Sequence, residues 1–298
     1  MKRAMRVALI LIIAGAVICA AALAMGGFDM KHFGLNQKWQ VTAYYPEETV
    51  TALDIRTVSA NVVVRPARDD RVCVNAAESE NVYYDKYVED GTLHVVRHAE
   101  TAQWWRNLGL LTLGREEMVE VLLPEGAYRA LKAETVSGSI EVAQGFSFET
   151  AALESTSGGV ECLSATRDLT AASVSGRIDV QNVKGARCDV SATSGEIRLA
   201  DLDVETCNVS SVSGGIALEG LRAASADIST TSGDVRLNGA GVGDWHIDAA
   251  SGDITGSVAN ACAFNVRTTS GEVQTPPSGT DGALTAQTTS GDVVIAAQ

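Results

Sequence analysis

The chain has 298 residues, of which 46% are hydrophobic and only 5% aromatic, with 28 Gly, 5 Pro and a formal net charge of −14. That length suits one elongated domain plus an anchor. The acidic balance repels phosphate backbones and argues against nucleic acid as a partner.

The first element is Val7 to Met25, a run without a charge that follows Lys2, Arg3 and Arg6. Its length fits a membrane-spanning helix. The basic flank, residues 1–6, keeps the N-terminus in the cytoplasm and places everything after Met25 outside the cell. Ala22-Leu23-Ala24 also resembles a signal cleavage site. Length favours a retained single-pass anchor in the cell membrane, and either reading exports the rest. Residues 26–49 read as a linker.

Irregular β patterning occupies residues 50–130. Thr57-Val58-Ser59-Ala60-Asn61-Val62-Val63-Val64 looks like a worn copy of Thr135-Val136-Ser137-Gly138-Ser139-Ile140-Glu141-Val142, lying close to four repeat lengths earlier. Val72-Cys73-Val74, Asn81 to Val88, Leu93 to Val96 and Met118 to Leu123 supply further strands. Terminal coils are expected to be atypical because they cap a stack. From Thr101 to Met118 the pattern breaks, and Trp104, Leu108 and Leu111 fall at helical spacing beside Trp105. Such a segment can contact a membrane or partner, or it can seal an open end of the fold.

Residues 131–298 are governed by a Ser-Gly pair that recurs nine times, at steps of 18 to 20 residues. The glycines are Gly138, Gly158, Gly176, Gly195, Gly214, Gly233, Gly252, Gly271 and Gly291. A Gly held at one point of every repeat marks a corner that needs positive φ or close backbone approach. Ile or Val stands three residues after each Ser, and apolar residues recur four and six before it, as in Val209 and Cys207. Alternation at a spacing of two, rich in β-branched residues, is strand patterning. Each repeat is therefore strand, corner, strand and loop. One such coil cannot bury its apolar face alone, whereas stacked coils share a core. The fold class is an all-β parallel β-solenoid of about 19-residue coils, preceded by one N-terminal transmembrane helix.

Val121-Leu122-Leu123-Pro124, then Leu131-Lys132-Ala133 and Thr135 to Val142, resemble a bacterial domain-of-unknown-function family of adhesin type. The resemblance runs from about residue 50 to the end. It implies a cell-surface β-solenoid, linked in some members to adhesion or envelope-stress sensing, and brings no catalytic residues.

The residues themselves offer little chemistry. His94 and His98 share a strand face but stand about 13 Å apart, too far to hold one ion. Asp234, Asp253, Glu272 and Asp292 would stack as a like-charge ladder. That ladder could hold calcium, or it could be a solvated turn, which the sparse Gly-Asp pattern favours. Cys188 and Cys207 occupy one repeat position a coil apart, and read as buried thiols or as a disulfide; the twist a disulfide needs favours thiols. The column before the Ser alternates Val and Thr, and a Thr row can bind ordered water or glycan. The outward column beside it is too mixed for an ice surface, which leaves a plain solvated face.

These readings point to a non-enzymatic, membrane-anchored extracellular module with no cofactor and no metal. Its expected partners are the membrane, a surface glycan or a membrane protein. A structural or sensory stalk in envelope-stress signalling is the alternative, and a wall-acting enzyme lacks a visible site. Val293, Val294 and Ile295 are expected to form an unpaired final strand edge that invites self-association.

Overall fold

A computed structural model describes residues 39–79, 82–99 and 117–297. The anchor stretch 7–25 and the segment carrying Trp104, Trp105, Leu108 and Leu111 lie outside the described residues. Gln40–Glu100 and Glu116–Gln298 form one compact unit; the other, Met1–Trp39 with Thr101–Arg115, is described only at Trp39. Every described element is a strand, and among the described residues no helix is long and apolar enough to cross a membrane.

Each regular coil runs a strand of nine or ten residues, the Ser-Gly corner, and a strand of three or four. The long strands stack in parallel as one sheet, from Gly126–Thr135 through Arg222–Thr230 in chain order. The short strands stack as a second sheet, Ile140–Val142 through Ile216–Glu219. Because side chains alternate, every second residue enters the space between the sheets. Leu131, Ala133, Ile140 and Val142 are at most 1% exposed. Full burial of one such branched side chain contributes about 1.5–3 kcal/mol, and the columns repeat it along the stack. Trp245 fills one of these positions and donates its Nε1–H to Ala223 O at 3.0 Å.

The second turn of the coil also has a chemical signature. Asn182, Asp201, Gly220 and Gly239 stand seven residues after their Ser, with φ of 62°, 55°, 61° and 63°. Left-handed backbone is strained for most side chains, and Gly, Asn and Asp tolerate it best.

Coil order departs from chain order at both ends. The strand Ala52–Arg56 pairs with Gly126–Thr135 on one side and Thr92–Ala99 on the other. Asn61–Pro66 likewise lies between Ile140–Val142 and Met118–Leu123. The worn copy at Ser59 is thus the immediate stacking neighbour of Ser137, with Ala52 facing Ala130. At the other end, Ala283–Ser290 sits between the second half of Val235–Ser251 and Ala263–Ser270. Val293–Ala297 sits between Ile254–Val258 and Val273–Gln274.

Two expectations are corrected by this arrangement. Val293, Val294 and Ile295 are not an edge: their strand is hydrogen-bonded on both sides, because the last coil slides in beneath the one that precedes it. The stack instead ends on the coil 263–274. The stretch 26–49 is also not linker throughout, since Gln40–Tyr44 pairs antiparallel with Cys73–Glu78. That strand and Val82–Glu89, antiparallel to Thr92–Ala99, close the opposite end.

Candidate functional site

The corner glycines are required by close approach. From Gly138 to Gly233 none has positive φ. A Cβ built on Gly158 would overlap the Gly138 carbonyl, and one on Gly214 the Gly195 carbonyl, well under 3.0 Å. The same overlap recurs through the column, with Gly291 against Gly252 and Gly271 against Gly291. Two residues before the Ser, in every coil except those with Ala192 and Ala249, a hydroxyl side chain stands at the corner. Ser155 Oγ donates to Gly138 O at 2.9 Å and accepts the Gly158 N–H at 2.9 Å. Ser173 does the same to Gly158 and Gly176, at 3.0 and 2.8 Å. This Ser/Thr column (Thr135, Ser155, Ser173, Ser211, Thr230) was visible in the repeat. Its signal is weaker than that of the Ser-Gly pair, because the residue alternates between Ser and Thr and is Ala in two coils.

That serine is exposed in every regular coil, as is the residue before it. Val58, Val136, Val174 and Val212 are 45–49% exposed, with Thr156 and Thr193 separating the last three along the stack. The corner therefore carries a two-column ridge of methyl and hydroxyl groups, repeating at the strand spacing of about 4.8 Å.

The carboxylate ladder is a backbone cap. Asp234 Oδ1 accepts the Asp253 N–H at 3.2 Å, Asp253 Oδ1 accepts that of Asp292 at 2.8 Å, and Asp292 Oδ1 accepts that of Glu272 at 2.7 Å. Each of the three aspartates is thus tied to a neighbouring donor, in the order that the inserted coil imposes. Among the described residues no group of three or more His, Cys, Asp or Glu is placed to hold a metal ion. Cys188 and Cys207 face each other in register as free, buried thiols. The hydrogen bond with Cys207, together with burial, pushes the Cys188 thiol well up. Burial pushes Cys162 to about 11. Such thiols are inert.

The N-terminal end has a different chemistry on each side of its outer strands. Outward, Tyr83 stacks on His98 at 5.3 Å and Tyr87 on His94 at 4.9 Å. His98 Nδ1 meets Asp85 at 2.8 Å, and His94 Nδ1 meets Asp54 at 3.4 Å. Inward, Lys86 pairs with Glu78, which also accepts from Thr42 Oγ1 at 2.6 Å and the Tyr84 N–H at 2.9 Å. Burial pushes the Glu78 carboxyl up, but these donors pull it net below its ordinary value. Arg97 Nε lies 3.5 Å from Glu117, whose other contact is Ser59 Oγ at 2.7 Å.

A shallow groove of about 650 Å³ crosses the long-strand sheet near the other end, lined among others by Asp248, Gln287, Arg267 and Thr289. Register places Gln287 between Asp248 and Arg267, an order that the linear sequence does not suggest.

The family described as Toastrack DUF4097 matches residues 50–298. No curated protein matches the chain. Among solved structures, the chain is similar to a putative adhesin from Parabacteroides distasonis, with 12% identity over 88% of this chain and 98% of that one, at a TM-score of 0.53. It is also similar to a putative adhesin from Parabacteroides merdae, with 11% identity over 86% and 97%, at a TM-score of 0.50. At such identity the likeness is one of fold.

Proposed function

The chain belongs to the Toastrack DUF4097 family, and on that premise we propose that it is a non-enzymatic, exported binding module of adhesin type, held at the cell membrane by residues 7–25. The observation that carries this reading is the corner ridge. It offers an extended, uniform row of exposed Val, Thr and Ser, suited to a repeating partner such as a surface glycan. Small hydroxyl and methyl groups at constant spacing can each make a weak contact, and a polymer collects many of them at once. The adhesin description of the two structural relatives agrees with such a role. The outward side chains on the ridge contribute little to the core, so binding and folding are separable.

The test uses the full chain in detergent and insoluble polymer from bacterial envelopes. Val136→Lys, Val174→Lys and Val212→Lys combined should lower sedimentation with polymer at least tenfold, while the melting temperature moves by no more than a few degrees. Unchanged sedimentation would remove the ridge as the contact. Recovery of one defined membrane protein in place of polymer would favour the stalk alternative.

A further inference from the structure

The N-terminal cap carries an exposed aromatic row that the corner ridge does not use. On the outer face of Val82–Glu89, strand alternation sets Tyr83, Asp85 and Tyr87 in line, with about 13 Å between the two tyrosines. Register puts His98 opposite Tyr83 and His94 opposite Tyr87, and the paired rings are parallel to within 9° and 19°. A carboxylate holds each histidine in turn, Asp85 for His98 and Asp54 for His94, and Arg56 grips Asp54 at 3.0 and 2.8 Å. The rings are thus fixed before anything binds, which lowers the ordering cost of a contact. Tyr83 is 38% exposed and Tyr87 44%.

Charge decides what suits these rings. The hairpin of Val82–Glu89 and Thr92–Ala99 has two fixed cations, Lys86 and Arg97, and both turn inward to Glu78 and Glu117. Outward it carries Asp85, Glu89 and Asp90, all exposed, and no Lys or Arg. Tyr45, which is also exposed, already has a cation, since the Arg71 guanidinium carbon lies 5.4 Å from its ring centre. Among the described residues no Lys or Arg lies over Tyr83 or Tyr87. A tyrosine face attracts a cation, and the surrounding carboxylates repel an anionic polymer.

We propose that the row Tyr83, Asp85, Tyr87 binds an amino-sugar polysaccharide through its cationic amines, a second contact that rests on the glycan reading above. A pyranose lays a flat face of C–H bonds on a tyrosine ring, whose face is the negative part of the aromatic system. Its ammonium then stands over that face or against Asp85, which is 49% exposed. A lysine offers only an ammonium on a flexible stem, so two rigid, paired rings favour the sugar. One polymer can cover both tyrosines at once, and the two contacts reinforce each other. The contact uses side chains alone. Backbone groups along the strand are in part taken by its own chain, because Ser79 and Val82 exchange hydrogen bonds and Glu78 accepts the Tyr84 N–H.

The test uses the full chain in uncharged detergent at neutral pH, titrated with β-1,4-linked hexamers of glucosamine, of N-trimethylglucosamine and of N-acetylglucosamine. The two cationic hexamers should bind, and the acetylated one, which keeps the ring and loses the charge, should bind at least tenfold more weakly. Tyr83→Leu with Tyr87→Leu leaves the net charge unchanged. It should weaken the cationic hexamers at least tenfold while the melting temperature moves by no more than a few degrees. Tyr87→Leu alone should give a smaller loss in the same direction. The chain with Val136→Lys, Val174→Lys and Val212→Lys should bind the hexamers within about twofold of the wild type, so failure of the ridge and failure of the tyrosine row are read separately. Equal affinity for the acetylated hexamer would overturn the proposal, as would binding retained without the two rings, which the overall negative charge would then explain. A lysine hexamer that binds as tightly, and is lost in the same variant, would make the partner a basic peptide and overturn it too.

Discussion

The two ends of the stack are made from the same repeat and finished differently. At the N-terminal end, Gln40–Tyr44, Cys73–Glu78 and Val82–Glu89 run against the parallel coils, and beside buried Val74, Ala76, Val82 and Tyr84 they place polar side chains inward, with Lys86, Glu78 and Thr42 satisfying one another. At the C-terminal end the coil 263–274 keeps the parallel direction, and its apolar side chains are half-covered. A parallel stack cannot end itself, because each coil presents the next with the same edge and the same apolar columns. Reversed strands bearing inward charges end it at one side. At the other side the chain's last coil goes beneath its neighbour and covers nothing.

The largest contrast between middle and end should come from the glycine column. Gly214→Val forces a branched side chain into the Gly195 carbonyl of a coil held on both sides, at a cost of about 3 kcal/mol or more. Gly271→Val makes the equivalent clash with Gly291, but its coil is free to shift outward, and about 1 kcal/mol is expected. Urea midpoints of the two variants measure this, and equal losses would show that the end coil is held as firmly as the middle.

A smaller contrast separates the charges at the two ends. The Lys86 and Glu78 side chains are 11% and 16% exposed. Lys86→Met strands a nearly buried carboxylate and should cost about 3 kcal/mol, whereas the exposed Arg267→Met should cost under about 0.5 kcal/mol. The cap should also weaken in acid. Because the folded Glu78 carboxyl lies below the ordinary value of 4.5, its contribution is fully present above that pH. It fades as pH falls from there through the depressed folded value, since the unfolded chain takes up the proton first. The difference in stability between the wild type and Glu78→Gln should therefore shrink on acidification below the ordinary value. A constant difference would mean that the pair does not titrate with the fold.

The smallest effect is expected from the hydroxyl staples. Ser173→Ala leaves the Gly158 carbonyl and the Gly176 N–H without their shared partner, for a loss of about 1–2 kcal/mol. Thr268→Ala, whose hydroxyl donates to Gly291 O at 3.0 Å, should lose less because water reaches the end coil. Thermal melts of both would resolve the order.

Much of this architecture was legible in the residues. The nine Ser-Gly corners, the Ile or Val three residues later and the apolar positions before the Ser predict the coil, and Leu131, Ile140 and Val142 are buried as that pattern requires. The staple column and the Asn182, Asp201, Gly220, Gly239 turn were equally readable but carry weaker signals, because Ser, Thr, Asn and Asp serve many loops. The role of the carboxylates was not readable. Whether Asp253 repels its neighbours or caps the next strand depends on the side-chain rotamer and on which coil lies beside it.

The sequence by itself determined the period, the inward columns and the close-packed glycine corner, since each coil must satisfy the same geometry and its residues record that demand one coil at a time. Only the tertiary structure decided the order in which the coils stack. Every coil offers its neighbours the same columns and the same parallel edge, so periodicity is satisfied equally by any arrangement. What places Ala52–Pro66 and Ala283–Ala297 inside the stack, and 263–274 at its end, is the path of the connections between coils and the hydrogen bonds gained when a strand is paired on both sides.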